Sequence, residues 1–321
     1  MKKNLNINLQ ELKTELLFYY NKPLPLKCFV IKDPKTRLIH KSDFRDRVIH
    51  HALCNIIESL FEKTFIYDSY ANRIVKGTLK AIERLDYFKR KVSKNNTKTC
   101  YVLKADIKHY FENVDHNTLI KILKTKIIDH NILWLIKIIL NNYSTDKGMP
   151  LGNLTSQFFA NVYLNELDQY IKHTLKVKYY IRYVDDFVIL SSSKEELIIL
   201  KEKINDFLQK QLKLTLHPDK SKITNINRGI TFLGYRIFKY HKLLKKSNLQ
   251  KFKIKLNNQI ELFQNNLLDF DQIYNFYTGW QGYAKQANTY KFRKRISKHL
   301  EPYFQNEVTT SQIHASIVYS K

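Results

Sequence analysis

The sequence predicts an α+β fold in which a mixed centre of strands and helices lies between two helical, basic flanks. Three observations predict it. Apolar residues recur at helical spacing before about residue 91 and again beyond Lys245. Short β-prone runs gather between them. Hydrophobic residues make up 44% of a 321-residue chain, enough to bury a sizeable core. That length exceeds the usual size of one domain, so two or three subdomains are expected. With 7 Gly, 6 Pro and no fixed-period repeat, they should pack closely, not hang on linkers.

In chain order, Val48, Ala52, Ile56, Leu60 and Phe61 have helical spacing, as do Leu79, Ile82, Leu85 and Phe88. The polar break SKNNTKT ends this part. YVLKADIKHYF follows, with Tyr101 to Leu103 leading into Asp106 as a short strand. Residues 117–142 predict one helix, STDKGMPLGN a loop, and Ser156 to His173 another helix. RYVDDFVIL, from Arg182 to Leu190, predicts a β-hairpin, because Asp suits turns and the apolar flanks suit strands. In SKEELIILKEKINDFLQKQL, Ser193 precedes Glu196 by three residues, a helix-capping pattern. LKLTLHPDKSKI and GITFLGYRIF predict two further strands, and the rest is helical, basic and aromatic.

Charge narrows the partner class. The chain has 55 Lys and Arg against 29 Asp and Glu, a formal charge of +26. Such a surface suits a polyanion and argues against small neutral substrates. The cations interleave with 21 Tyr and 19 Phe, as in grooves where phosphates meet cations and bases stack on rings. No strongly amphipathic basic helix stands out to lie on a membrane, and the most apolar run, ILWLIKIIL, is short and carries Lys137. The N-terminus lacks a secretory pattern, and Cys28, Cys54 and Cys100 have no metal-ligand spacing. A cytoplasmic protein with no membrane partner is expected.

Asp185 and Asp186 alone read as turn residues, and Asp106 alone as a cap. Together, a strand–acid–loop–helix element and a strand–Asp–Asp–strand hairpin can gather three carboxylates at one sheet edge. That set suits two Mg²⁺ ions, which prefer oxygen ligands. Without cations the three charges would repel.

DIKHYF, GMPLGNLTSQFFAN, YVDD, LTLHPDKSK and FLGYRI occur in the order of the palm motifs of reverse transcriptases, which this chain resembles. The resemblance extends to RLIHKSDFRDRVIHHAL and to GWQGYAKQANTYKFR, and so covers most of the chain. It implies a right-hand polymerase: fingers over residues 1–99, a palm of antiparallel sheet plus helices over 100–242, and a helical thumb over 243–321. LGNLTSQ with the FLGYRI…HKLLKKS stretch looks like the enzymes of diversity-generating retroelements. Group II intron enzymes usually carry Gln before the Gly and Ser-Pro at the loop end, where this chain has Leu151 and Ser156-Gln157.

The resemblance implies that Asp106, Asp185 and Asp186, with the Ile107 carbonyl, bind two Mg²⁺, Mn²⁺ being able to substitute. It places Phe111 beneath the incoming sugar, against a ribose 2′-OH, and makes Lys220 the acid for pyrophosphate, with Lys222 its rival. Gly152, Ser156 and Gln157 would line the nascent base pair. Leu151, which can only pack, implies weak discrimination and errors opposite template adenines. Lys35 and Arg37, ahead of Arg45 and Arg47, are candidates for the triphosphate. Tyr183, Trp280 and Tyr283 could meet primer or template, or simply pack. Implied partners are template RNA, the cDNA/RNA hybrid, dNTPs and a small basic oligomeric accessory protein. No second acidic cluster suggests ribonuclease H, nor a His/Asn-rich stretch an endonuclease. The alternatives are another bacterial reverse transcriptase, of retron, group II intron or phage-defence type, and a catalytically idle RNA-binding scaffold.

Overall fold

The structure is a computed structural model and describes residues 5–32 and 35–303. The elements are α1 (Leu5–Leu17), β1 (Lys27–Ile31), β2 (Arg37–Lys41), α2 (Phe44–Glu62), α3 (Thr78–Val92), β3 (Tyr101–Asp106), α4 (Tyr110–Asn113), α5 (His116–Leu123), α6 (His130–Asn141) and α7 (Leu154–Gln169). They continue as β4 (Tyr180–Tyr183), β5 (Asp186–Ser191), α8 (Lys194–Leu212), β6 (Lys222–Asn225), β7 (Ile230–Phe232), β8 (Tyr235–Ile237), β9 (Lys242–Leu244), α9 (Lys246–Gln264), α10 (Phe270–Ala284) and α11 (Tyr290–Leu300). The chain forms two compact units, Met1–Leu85 with Leu103–Ile223, and Asp86–Val102 with Thr224–Lys321.

In the first unit, α7 is the central element. Phe158, Phe159, Ala160, Val162, Tyr163, Leu164 and Leu167 are all buried, on several sides of the helix. It packs against α2, α5 and α8, and an apolar helix surrounded in this way is a core helix. The main sheet has the order β4-β5-β3-β6. The hairpin β1–β2 forms a separate two-stranded sheet. Helix α8 starts as expected, with Ser193 Oγ accepting from the Glu196 amide at 3.0 Å, while the Glu196 carboxylate turns instead to Ser191 Oγ.

The helix expected over Val48 to Phe61 forms as α2; within it Ile56 and Leu60 are 61% and 43% exposed, and the buried side is Ile49, His50, Leu53, Cys54, Ile57 and Phe61. Both faces are apolar at helical spacing, and packing on α7 selects one. Residues 117–142 form two helices, because α5 ends at Leu123 and the Asp129 side chain starts α6 by accepting from the Asn131 amide at 2.7 Å. GITFLGYRIF is a hairpin of two strands, β7 and β8, whose turn residues Leu233 and Gly234 both have positive φ, at 47° and 88°. Of LKLTLHPDKSKI, only the end enters a strand, β6.

The second unit contains the sheet β7-β8-β9 and a helical core of Phe252, Leu256, Ile260, Ile273, Tyr277, Ile296 and Leu300. Asp269 opens α10 with a reciprocal capping box to Gln272. Trp280 stacks on Phe252 at 3.7 Å, and Tyr283 donates to the Gly234 carbonyl at 2.8 Å. Both rings are thus engaged in the unit's own packing. No helix among the described residues is long and apolar enough to cross a membrane.

Candidate active site

The β4–β5 hairpin closes with Tyr183 opposite Asp186, leaving a turn of two residues, Val184 and Asp185. Val184 adopts φ 56°. A β-branched side chain is strained there, so the surroundings must hold the turn. Arg182 does so from full burial: one terminal nitrogen, Nη1, donates to the Val184 carbonyl at 3.0 Å and to Asn161 Oδ1 at 3.2 Å. Its Nε and Nη2 grip both oxygens of the equally buried Asp168, at 2.8 and 2.6 Å. Tyr180 adds a hydrogen bond to Asp168 at 2.6 Å. Burial alone would favour a neutral guanidine, but the Asp168 charge outweighs it and the Arg182 pKa is raised. The site's turn therefore stands on a bidentate buried ion pair, which is specific in geometry as well as charge.

Asp106 ends β3, and the segment after α8 wraps around it. His217 donates its amide to the Asp106 carbonyl at 2.7 Å, and Lys108 donates to the Thr215 carbonyl at 2.9 Å. This brings Lys220 Nζ to 3.2 Å from Asp106 Oδ1. On the same strand, Lys104 Nζ lies 3.0 Å from Asp186 Oδ1. That contact has ion-pair distance but not hydrogen-bond geometry, so the buried Asp186 oxygen lacks a hydrogen-bond partner. Burial, then the Asp106 charge, pushes the Asp185 pKa up. Burial lifts Asp186 to about 6 against the pull of Lys104, with Asp106 and Asp185 adding to the rise.

The three acids thus share one electrostatic site. Among the described residues no three His, Cys, Asp or Glu side chains are grouped so that they could hold a metal ion as they stand; Lys104 and Lys220 hold two of the carboxylates. In its chemistry the donor set suits a hard divalent cation: three carboxylates, with the Asp185 and Asp186 pKa values raised and one buried Asp186 oxygen lacking a hydrogen-bond partner.

Arg37, exposed at the start of β2, is close enough to lower the pKa of Asp185. Lys35 is exposed beside the undescribed residues 33–34, and no contact among the described residues ties it to the acids. Arg45 is engaged by Glu15 and by Asp46 at 3.1 Å. The loop ahead of α7 lies on β2: the Leu151 carbonyl accepts from His40 at 2.9 Å, and Asn153 Oδ1 from Ser42 at 3.1 Å. Gly152 makes this approach possible, since at φ +117° a Cβ there would stand 2.7 Å from Ile39 Cγ2. The other end of the loop meets the half-buried Phe111, whose carbonyl accepts from Met149 at 2.6 Å. Ser156 and Gln157 separate, Ser156 being buried and Gln157 exposed, as neighbours about 100° apart on a helix do. Ile107 is buried and bridges to Leu216. Lys222 is exposed on β6.

Sequence reasoning missed Lys104, Arg182, Asn161 and Asp168. Lys104 was accessible from alternation, because residues two apart on β3 share a face and Asp106 is its partner on that face. The Arg182 network joins residues from α7 and the hairpin, and no local pattern announces it.

Comparison with known proteins agrees with this architecture. The chain is 27% identical to the protein YkfC of Escherichia coli over 73% of this chain and 72% of that protein. It is 27% identical to the group II intron-encoded protein LtrA of Lactococcus lactis, over 76% of this chain but only 51% of LtrA. The retron Ec73 reverse transcriptase of Escherichia coli is 25% identical over 69% of this chain and 72% of its own length. Among solved structures, the telomerase of Candida albicans in complex with a fragment of telomeric RNA superposes with a TM-score of 0.57 at 12% identity, over 94% of this chain and 59% of that one. Apo telomerase from Candida tropicalis gives 0.52 at 14% identity, over 98% and 68%. These structures share the right-hand polymerase fold of helices and antiparallel sheet. The chain spans about half of LtrA and three-fifths of the Candida albicans telomerase chain. The family model for reverse transcriptase (RNA-dependent DNA polymerase) matches residues 31–237. With most of its length inside that match, the chain belongs to the reverse transcriptase family, whose members are RNA-directed DNA polymerases generally dependent on divalent metal ions, typically Mg²⁺.

Proposed function

We propose that this protein copies RNA into DNA at Asp106, Asp185 and Asp186, in a right-hand arrangement of fingers over residues 1–99, palm over 100–242 and thumb over 243–321. The observation that carries the reading is the Val184–Asp185 turn, held strained on the buried Arg182–Asp168 pair beside Asp106. A fold has little use for three mutually repelling carboxylates unless cations join them. Two Mg²⁺ ions at these carboxylates, with Mn²⁺ able to substitute, would activate the primer hydroxyl and stabilise the departing pyrophosphate. The Ile107 carbonyl would complete the ligand set. Lys220, 3.2 Å from Asp106, would donate a proton to the leaving group. Phe111, bonded through its backbone to the GMPLGN loop, would exclude a ribose 2′-OH. Arg37, with Lys35 as a second cation, would hold the triphosphate. Gly152, Leu151 and Gln157 would border the nascent pair, with Ser156 supporting them from beneath.

The finer reading is mutagenic retrohoming in a diversity-generating retroelement, with template-repeat RNA as template and a small basic oligomeric protein as partner. Leu151 and LGNLTSQ support it. The likeness to LtrA and to the retron enzyme supports a second branch within the same chemistry. One experiment separates them: wild type and Asp185→Ala are given primed RNA, dNTPs and Mg²⁺, and any cDNA is sequenced. Asp185-dependent cDNA with errors concentrated opposite adenines supports the diversity-generating reading, and accurate cDNA the intron or retron branch. Equal cDNA from wild type and variant overturns the site. Absence of cDNA even with accessory protein and cognate RNA favours the RNA-binding scaffold.

A further inference from the structure

On α5 and α6, away from the three acids in sequence, lies a cavity of about 430 Å³ lined by His116, Ile120, Lys121, Lys124, Lys137 and Leu140 with neighbouring amide and hydroxyl side chains. Its floor is Ile120, Leu140 and His116, all buried. Its rim is Lys121 from α5, Lys124 just past the end of α5 and Lys137 from α6, all exposed. No Asp or Glu lines it, and none of the three lysines forms an ion pair among the described residues. Helices usually intersperse charges of both signs on a solvated face, and like charges gathered around a concavity repel unless an anion joins them. The floor is anchored: His116 is 6% exposed, and its Nε2 donates to the Gly148 carbonyl at 2.7 Å.

We propose that this pocket is a second RNA contact, which holds the phosphodiester backbone of template RNA outside the polymerase site. The proposal rests on the RNA-copying reading for its ligand and on the lysine rim for its place. Three lysines spread over an open rim suit successive backbone phosphates better than one compact ion, because Lys binds phosphate as a movable point charge. The asparagines Asn117 and Asn141, one turn from Lys121 and Lys137 on their helices, add hydrogen bonds suited to ribose or base edges. The link from His116 to Gly148 ties the pocket floor to the loop that carries Gly152.

The test compares two triple variants of equal charge loss in the full chain. K121Q/K124Q/K137Q empties the rim, and K194Q/K203Q/K210Q removes three exposed lysines from α8. The readout is the affinity for a long single-stranded RNA against salt, with a short primer–template duplex as second ligand. The rim variant is expected to bind the long RNA about tenfold more weakly. Its salt slope should fall by about two, since each lost phosphate contact on a single strand removes about 0.7. Binding of the short duplex, and extension from it, should hold. Equal losses in the two variants would overturn the proposal and leave only general positive charge. Loss of competition by inorganic tripolyphosphate with unchanged RNA affinity would also overturn it, by assigning the pocket to a small polyanion. Failure of wild type to make cDNA would remove the polymerase reading without altering this comparison of affinities.

Discussion

The molecule uses two β-hairpins in its first unit, and they are built in opposite ways. In β4–β5 the residues Tyr180, Ile181, Arg182 and Phe187 to Ser191 are buried, the turn has two residues, and a bidentate ion pair holds its carbonyl. In β1–β2 every residue of the first strand is exposed, with Val30 at 55% opposite Leu38 at 49%. That hairpin leans on the loop before α7 through the His40–Leu151 and Ser42–Asn153 bonds and the Ile39–Gly152 contact. An isolated two-stranded hairpin is marginal in water. The difference teaches a division of labour. On the proposed reading, metal ligands, which need sub-ångström placement, would be set on the buried, overdetermined turn. Arg37, proposed to meet a mobile triphosphate, would sit on an element of low local stability that yields and re-forms.

The largest effect that would sharpen this contrast is Asp168→Ala. It strands Arg182 in full burial and should cost about 3–5 kcal/mol of folding stability, together with cDNA synthesis. Thermal unfolding checks it, and a cost below about 1 kcal/mol would place the turn's support elsewhere. The second is Gly152→Ala, which forces a Cβ against Ile39 at a φ that L-residues rarely adopt. A loss of about 1–3 kcal/mol is expected, with a rise in the dNTP KM larger than the fall in kcat. An unchanged KM would separate the loop from nucleotide binding.

Third, Asp186→Asn should stabilise the metal-free protein while abolishing synthesis. The folded protein holds the Asp186 proton more tightly than the unfolded chain does, with a pKa of about 6 against an ordinary 3.8. Stability from this group is therefore greatest below pH 3.8, falls as pH rises through 3.8 to about 6, and stays low above. At pH 7 the Asn variant should regain on the order of 1–3 kcal/mol, and should lose this part of the pH slope. An unaltered pH–stability curve between 4 and 6 would contradict it. The smallest effect is expected of Arg37→Ala on the open hairpin: stability within about 0.5 kcal/mol of wild type and a several-fold rise in dNTP KM. A large drop in melting temperature would show that β1–β2 is as rigid as β4–β5.

Much of this was legible from the residues. Asp-Asp between β-prone runs specifies a tight hairpin, and Ser193 three residues before Glu196 specifies a helix start, because turns and caps are interactions between near neighbours in sequence. The break between α5 and α6 was not seen, since ILWLIKIIL and TLIKIL are both helix-compatible and only Asp129's cap divides them. Which face of α2 is buried is likewise not local information: Ile56 and Ile57 are equally apolar, and which one is buried depends on where α7 lies. Lys104 is an ordinary strand lysine until β5 places Asp186 beside it.

By itself the sequence determined a charge of +26, which suits a polyanion, and the order of the acidic elements, because net charge and local turn chemistry are properties of composition and adjacency. Only the tertiary structure decided that Arg182 and Asp168 bind each other beneath the turn, that Lys104 and Lys220 neutralise the acids, and that three lysines from α5, its C-terminal end and α6 ring one cavity. Those contacts join residues distant along the chain, and burial and distance, which set their strength, exist only once the helices and strands have packed.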